Sequence, residues 1–319
     1  MAGLAPPTAG GGNAAPASSQ NGWTQRIVIL VPYVWLLVFF LIPFFIVLKI
    51  SLSEQVRAAP PYAPVFDILT DPAATTLEKL SMLGLGNFGR IFSDTLYIEA
   101  YLTSVVIAGI STFATLLIGY PIAYGMARAP REWRATLLMM VILPFWTSFL
   151  IRVYAWIGIL ADEGLLNNVL MGLGLIDEPL HIMSTNYAVM IGIVYSYLPF
   201  MILPLYSALE KMDDTLLEAA QDLGCTPFKS FWLVTFPLSL PGVIAGCFLV
   251  FIPAVGEFVI PDLLGGSETL MIGRTLWEEF SSNTDWPLSA AVAILLLLLL
   301  VVPIVIFQNQ QAKMQESGR

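Results

Sequence analysis

The sequence predicts an all-α membrane protein with about six transmembrane helices. Of its 319 residues, 57% are hydrophobic and only 12% are charged, whereas ordinary soluble domains contain about 25% charged residues. Six runs carry few or no charges, and each is long enough to cross a bilayer as a helix. This composition excludes a soluble globular enzyme, a disordered chain and a basic nucleic-acid-binding protein.

The six apolar runs divide the chain into a short tail and one transmembrane domain. Residues 1–22 are uncharged and rich in Ala, Gly, Pro and Ser, which is typical of a disordered tail, and the transmembrane domain then covers 23–319. The first run is longer than the apolar region of a cleaved signal peptide, about 7–15 residues, so we expect a retained helix. We predict helices at about 27–50, 100–127, 135–160, 187–209, 237–264 and 288–307.

The loop between the second and third helices sets the orientation. Arg128, Arg131 and Arg134 stand there against one acid, Glu132, and short loops with excess positive charge stay in the cytoplasm. Six helices then place both termini in the cytoplasm. Two basic residues just after the first helix oppose this orientation, namely Lys49 and Arg57.

The loop 210–236 has the pattern of two short helices joined at a glycine. Asp214 or Thr215 can cap the first helix, and Glu218 follows Thr215 at the spacing of a capping box. Gly224 is suited to end that helix, and a Thr-Pro pair at 226–227 to begin the next. The apolar positions at helical spacing are Leu216, Leu217, Ala220 and Leu223. By periodicity alone the segment could also be an amphipathic loop at the membrane surface.

The same loop resembles the EAA motif of membrane subunits of ABC importers. Glu218-Ala219-Ala220 is followed by Gly224 and then by Val234-Thr235-Phe236-Pro237, where the family has Ile-x-Leu-Pro. In that family the hairpin is the coupling helix, which docks into a groove of the cytoplasmic ATPase. The resemblance therefore implies that the ATPase-coupling residues are Glu218, Ala219, Ala220, Asp222, Gly224 and Pro237.

A second resemblance extends from about residue 23 to the end of the chain. The stretches 142–160, 192–209, 251–266 and 271–280 are similar to permeases of bacterial polyamine importers. This implies a type I importer in the bacterial inner membrane, with putrescine as the expected substrate and spermidine as a close alternative. The implied partners are a second homologous permease, two ABC ATPases and a periplasmic polyamine-binding protein, with no nucleic acid.

The chain itself lacks the sequence needed to hydrolyse ATP. No G-x-x-x-x-G-K-[ST] phosphate loop occurs, and no Gly-Lys dipeptide occurs at all. With one histidine and two cysteines, His181, Cys225 and Cys247, it also offers no metal site based on histidine and no disulfide framework. We therefore expect this subunit not to be an enzyme and to bind no cofactor, while the partner ATPase binds ATP and Mg²⁺.

Charged residues inside the predicted helices are candidates for the substrate pathway. Glu257 lies about 30 Å along the fifth helix, near the outer boundary of the hydrocarbon, and Asp262 is further out. Intramembrane acids often have functional roles, and a carboxylate suits a polyamine. Glu257 could equally be a structural acid. Arg152 lies at a similar height, and we predict a structural ion pair with Glu257 or with the partner permease.

Aromatic residues in the third and fourth helices could hold an ammonium group by cation–π contact. We select Trp146, Tyr195 and Tyr197 as candidates, although most aromatic residues in membranes only pack or lie at the interface. Four glycines are expected to permit close helix packing instead, namely Gly119, Gly125, Gly192 and Gly246.

Two other classes of protein fit the composition less well. An ion-coupled secondary transporter of a small cation usually shows internal repeats with broken helices at corresponding positions, and no repeat is evident. A membrane-embedded enzyme would need a larger catalytic cluster than Glu257 and Arg152.

With the predicted topology, the net charge of −9 divides into +1 inside and −10 outside. An acidic outer half would attract polycations.

Overall fold

The computed structural model describes residues 22–66, 73–213 and 215–317, and most of this part of the chain is helical. The chain forms two units, one up to Lys49 and one from Ile50 onwards. The predicted tail lies outside the described residues except for Gly22.

The first unit is a long apolar helix with a local change of pitch. It contains α1 (Gly22–Leu36), a π-helical turn (Leu37–Leu41) and most of α2 (Ile42–Ser51). Its apolar side chains are exposed; Trp35, for example, exposes 62% of its surface. Such an apolar surface is suited to contact lipid or a partner subunit.

The second unit begins with short elements and continues with long helices. Its elements are β1 (Glu54–Gln55) and β2 (Tyr62–Ala63), which pair antiparallel, α3 (Ala73–Ser81), α4 (Gly86–Ser93), α5 (Thr95–Arg128), α6 (Arg131–Ile142), a 3₁₀ turn (Leu143–Trp146), α7 (Phe149–Leu160), α8 (Leu165–Gly172), α9 (Asn186–Glu210), α10 (Thr215–Asp222), α11 (Pro227–Ser230), a π turn (Phe231–Thr235), α12 (Phe236–Val255), α13 (Val259–Leu264), α14 (Ile272–Ser281) and α15 (Trp286–Ser317).

Four helices in the described residues are long and apolar enough to cross a membrane, and a bent pair is a fifth candidate. The four are Val28–Ser51, Thr95–Arg128, Asn186–Glu210 and Pro227–Val255. The helix at the C-terminal end, α15, is apolar over Trp286–Val301. This all-α architecture is roughly consistent with the six spans that the sequence predicts.

The prediction of one helix over 135–160 is wrong. Two helical segments, Arg131–Trp146 and Phe149–Gly172, meet there at an angle of 88°. The cause lies at Pro144, whose carbonyl accepts hydrogen bonds from both the amide and the hydroxyl of Thr147, at 3.3 and 2.7 Å. Thr147 then adopts an extended backbone, which ends the turn.

The prediction of one helix over 237–264 is also wrong. Helix α12 ends at Val255, and Gly256 is its C-cap. The carboxylate of Glu257 then accepts hydrogen bonds from the amides of Val259 and Ile260, with which the separate helix α13 begins. At the other end the helix starts earlier than predicted, because α11, the π turn and α12 form one continuous helix from Pro227.

Helices α5, α9 and α12 pack on one another and form the centre of the second unit. Small residues permit this approach, since a Cβ atom on Gly246 of α12 would lie 2.7 Å from the Met201 sulfur of α9. Gly192 of α9 admits α13 in the same way, since a Cβ atom there would lie 2.8 Å from a Leu264 methyl. Gly119 is similarly tight, 3.0 Å from Met201. Gly125 is not, since a Cβ atom there would meet nothing within 4 Å, so its predicted role in packing is wrong within this chain.

Among these glycines, Gly242 faces the atoms of α9 that can move least, namely a backbone oxygen and a Cβ atom. We expect Gly242→Ala to destabilise the protein by about 1–3 kcal/mol, as overpacked cores generally do, because its Cβ would lie 2.7 Å from the Cβ of Ala208 and 2.8 Å from the carbonyl oxygen of Pro204. Thermal unfolding of the purified protein in detergent measures this change. The control is Gly125→Ala, which should leave the melting temperature unchanged or raise it.

Candidate functional site: a helical hairpin and a carboxylate pocket

The hairpin at 215–230 ends its first helix in a Schellman motif. Gly224 has φ of +83°, a left-handed conformation that favours glycine. Its amide donates to the carbonyl of Gln221 at 2.8 Å, and the amide of Cys225 donates to the carbonyl of Ala220 at 3.0 Å. These two bonds satisfy carbonyls that the end of α10 would otherwise leave open. The turn is therefore fixed by hydrogen bonds as well as by the glycine.

The beginning of α10 differs from the predicted capping box. The backbone amide of Thr215 donates to Oδ1 of Asp213 at 3.0 Å, so Asp213 supplies the carboxylate at this helix end, and Asp214 lies outside the described residues. Hydrogen bonds from the Thr215 backbone and side chain hold the pKa of Asp213 below its usual value. Thr226 caps the second helix as predicted, by accepting from the amide of Lys229 at 3.4 Å.

Much of the hairpin surface is exposed. Ala220 is buried at 8% exposure, but Leu223 and Phe228 expose 86% and 73% of their surfaces. The predicted apolar face of α10 is therefore only partly covered by this chain. The coupling residues Glu218, Ala219, Asp222, Gly224 and Pro237 are all exposed. A rigid hairpin with acidic, small and apolar exposed side chains is suited to contact another protein.

A polar cleft of about 330 Å³ lies between the hairpin and the end of α5. Its lining includes Arg128, Glu218 and Gln221, together with Ser230 and Thr235. The last two are 2% and 1% exposed, and their hydroxyl oxygens have no hydrogen-bond partner in the described part of the chain. Buried hydroxyls are normally satisfied, so these two are exceptions, and the polar groups that the cleft offers to a ligand or to a partner side chain are those of Arg128, Glu218 and Gln221.

A second cavity, which we call the Glu257 pocket, lies where α7, α9 and the α12–α13 junction meet. Its volume is about 360 Å³, and it is lined by Phe145, Phe149, Arg152, Ser196, Tyr197, Phe200, Pro253, Gly256, Glu257, Phe258 and Val259. One carboxylate thus lies among five aromatic rings. This is the combination that binds alkylammonium groups, through charge and through the ring faces.

Glu257 is held firmly in its pocket. It is 9% exposed, and its Oε2 accepts a hydrogen bond from the Tyr197 hydroxyl at 2.5 Å. Its Oε1 accepts from the amides of Val259 and Ile260 at 3.0 and 3.4 Å. Glu257 therefore has a structural task, which is to begin α13, as well as a position suited to a cation.

The structure brings only part of the predicted pathway set together. Tyr197 and Glu257 share the pocket, whereas Trp146, Tyr195 and Asp262 do not line it. Trp146 is 74% exposed, Tyr195 packs edge-to-face on Trp156, and Asp262 lies 3.5 Å from Arg274. Sequence reasoning missed four of the rings, Phe145, Phe149, Phe200 and Phe258. The spacing of Phe149 and Arg152 at i and i+3, within one helix, is a signal that could have found one of them.

The predicted ion pair between Arg152 and Glu257 is absent from the described residues. The Arg152 guanidinium carbon lies instead 5.0 Å from the ring centroid of Phe145 and 5.8 Å from that of Phe149. The Arg152 Nε is buried without a hydrogen-bond partner. Both carboxylate oxygens of Glu257 accept hydrogen bonds from other groups, Oε2 from Tyr197 and Oε1 from the amides at the start of α13. Pairing with another subunit remains a prediction.

The chain belongs to the family described as binding-protein-dependent transport system inner membrane component, whose model matches residues 119–315. The chain is therefore a permease, which is the membrane subunit of an ABC importer, and it is not itself an enzyme.

Its relatives are permeases as well. The chain is 41% identical over 274 residues to the spermidine/putrescine transport system permease protein PotB of Haemophilus influenzae, covering 86% of this chain and 89% of that protein. The spermidine/putrescine transport system permease protein PotB of Escherichia coli is 47% identical over 210 residues, which cover 66% of this chain and 76% of that protein. A bacterial ABC transporter that imports the acidic polysaccharide alginate has the same fold, with a TM-score of 0.65 at 16% identity, over 92% of this chain and 96% of that one.

The two tasks of Glu257 can be separated by substitution. We expect Glu257→Gln to keep nearly the wild-type melting temperature, because the glutamine oxygen can still accept from the amides that begin α13. Glu257→Ala should lose about 0.5–2 kcal/mol, the usual cost of removing a helix cap. Thermal unfolding in detergent compares the three proteins. Equal melting temperatures for the alanine and glutamine variants would refute the capping role.

Proposed function

We propose that the chain is the permease subunit of an ATP-driven importer that moves polyamines, putrescine foremost, across the bacterial inner membrane. The observation that carries this proposal is the Glu257 pocket at one end of a continuous helix whose other end begins in the exposed hairpin. The identity to polyamine permeases of two bacteria supports the same substrate class.

The chemistry of the Glu257 pocket fits an alkylammonium end of a polyamine. A carboxylate supplies the opposite charge, and Tyr197 and the phenylalanine rings supply apolar faces for the methylene chain and for cation–π contact. We propose that Trp146, Tyr195 and Asp262 belong to the same pathway outside this pocket. A second homologous permease would complete the pathway as a heterodimer.

Coupling to ATP would pass through the hairpin. In this proposal two cytoplasmic ATPases bind ATP and Mg²⁺, and one of them receives the exposed hairpin, with Glu218 and Asp222 as charged contacts. The polar cleft beside the hairpin, with Glu218 and Gln221 in its lining, is suited to a polar side chain of that ATPase. Closure of the ATPases would move the hairpin and the helix that follows it, which biases the permease between inward-open and outward-open states.

We further propose that both termini lie in the cytoplasm and that a periplasmic polyamine-binding protein docks on the outer loops. With that orientation the outer half carries six basic and sixteen acidic residues, and the cytoplasmic side eight and seven. The outward negative potential would attract a polycation and orient its approach.

Energisation by ATP is the first test of the proposed function. We expect vesicles that contain the complete complex and its binding protein to take up radiolabelled putrescine only when ATP is present. The reason is that closure of the ATPases drives the proposed change between inward-open and outward-open states. Dissipation of the proton gradient should leave uptake unchanged. Uptake that follows the proton gradient and survives ATP depletion would favour the ion-coupled secondary transporter instead.

The hairpin can be tested with two substitutions of one residue. Gly224→Val should reduce both uptake and co-purification of the ATPase by about tenfold or more, because a β-branched residue at positive φ is strained. Gly224→Asn is the matched control, since Asn tolerates this conformation and a side chain there meets open space. Both variants should insert into membranes normally. Wild-type uptake by the valine variant would contradict the coupling role.

A further inference from the structure

Arg152 lies in the Glu257 pocket, half-buried, in an unusual state for a charge inside a membrane protein. Its guanidinium lies over the rings of Phe145 and Phe149, at 5.0 and 5.8 Å from their centroids. Its Nε is buried and has no hydrogen-bond partner, and the described residues include no ion pair to it. Charges inside a membrane protein usually pair with an opposite charge. Here the contacts that hold the cation are ring faces.

The pocket retains capacity for a second cation beside its carboxylate. An ionised carboxylate has about four acceptor positions, and Glu257 uses three of them, for the Tyr197 hydroxyl and the amides of Val259 and Ile260. An ammonium group that enters the pocket would find this remaining acceptor position. It would also find the faces of Phe145 and Phe149 already covered by the guanidinium.

We propose that Arg152 is a resident cation that competes with the ammonium group of the substrate for the ring faces of the Glu257 pocket. It is thereby a specificity-determining residue of the permease. A guanidinium and an ammonium favour the same ring faces, and two like charges repel each other in a cavity of about 360 Å³. Since no ion pair in the described part of this chain anchors Arg152, the substrate can displace it without separating opposite charges.

This competition explains how a pocket with one carboxylate could select cations that bind tightly over cations that bind weakly. A ligand must provide more binding free energy than the guanidinium that it displaces, so weakly bound monoamines would be rejected. This inference rests on the proposed function, because it takes the Glu257 pocket as part of the polyamine pathway.

A double-mutant cycle in the purified complex, without its binding protein, tests the competition. Equilibrium dialysis with radiolabelled putrescine measures the Kd of four forms: wild type, Arg152→Gln, Phe149→Leu and the double variant. Arg152→Gln should bind about fivefold tighter or more, in line with a cation–π contact freed for the ligand. Phe149 is preferred to Phe145 for substitution, since Phe145 also packs on Phe200 with centroids 5.1 Å apart.

The cycle separates competition from a general effect of charge. If Arg152 covers the ring, Phe149→Leu should change the Kd of the wild type little and weaken binding of the Arg152→Gln form about fivefold. If removal of Arg152 only lowers electrostatic repulsion, Phe149→Leu has the same effect in both backgrounds. Arg152→Lys, which keeps a cation, should resemble the wild type, and Arg131→Gln controls for the loss of an exposed arginine elsewhere.

Two results would overturn the inference: an Arg152→Gln form that binds putrescine no tighter than wild type, or equal effects of Phe149→Leu in both backgrounds. Failure of the proposed function has a different signature. In that case the wild-type complex with its binding protein would not take up any polyamine, whatever the Kd values in the cycle.

Discussion

The close packing of α5, α9 and α12 is the constraint on which both candidate sites depend. Without a hydrophobic driving force between helices in lipid, association requires backbones to approach closely, and small residues provide that approach. Gly119 on α5 and Gly242 and Gly246 on α12 do so here, because a Cβ atom on any of them would lie at 3.0 Å or less from an atom of α9. This packing fixes the course of α12, and the course of α12 fixes what lies at its two ends. The hairpin lies before it and the Glu257 pocket after it.

The continuity of the helix through the hairpin gives a direct mechanical link. Pro227–Val255 is one helix of 29 residues, about 43 Å long at 1.5 Å per residue. A movement imposed on the hairpin is therefore carried by a single helix to the residues beside Glu257. Phe231 packs edge-to-face on Tyr120 and Tyr124 of α5, so the end of α5 would move with it. Gly256 and Glu257, at the break that follows, are the first residues that could change direction.

Sequence reasoning predicted the apolar helices and the left-handed glycine of the hairpin because these depend on local patterns. Periods of apolar residues and the pair Thr226–Pro227 are visible in any window of the chain. It did not predict the bend at Thr147 or the break at Gly256, because each depends on a side chain that captures a particular backbone group. It also placed Glu257 near Arg152, but of the two predicted partners for Arg152 the structure contradicts Glu257, and pairing with the partner permease stays a prediction. Whether two charges pair depends on their other partners, and Tyr197 and the start of α13 are remote in sequence from Arg152.

We propose that the hairpin and the Glu257 pocket are two ends of one coupled element. The most direct measurement is the rate of maleimide labelling of Phe258→Cys in the complete complex, after replacement of Cys225 and Cys247, with and without a non-hydrolysable ATP analogue. We expect nucleotide to change the labelling rate at Phe258→Cys and Gly224→Val to abolish this change. A labelling rate that does not respond to nucleotide, or that responds equally in the Gly224→Val form, would contradict it.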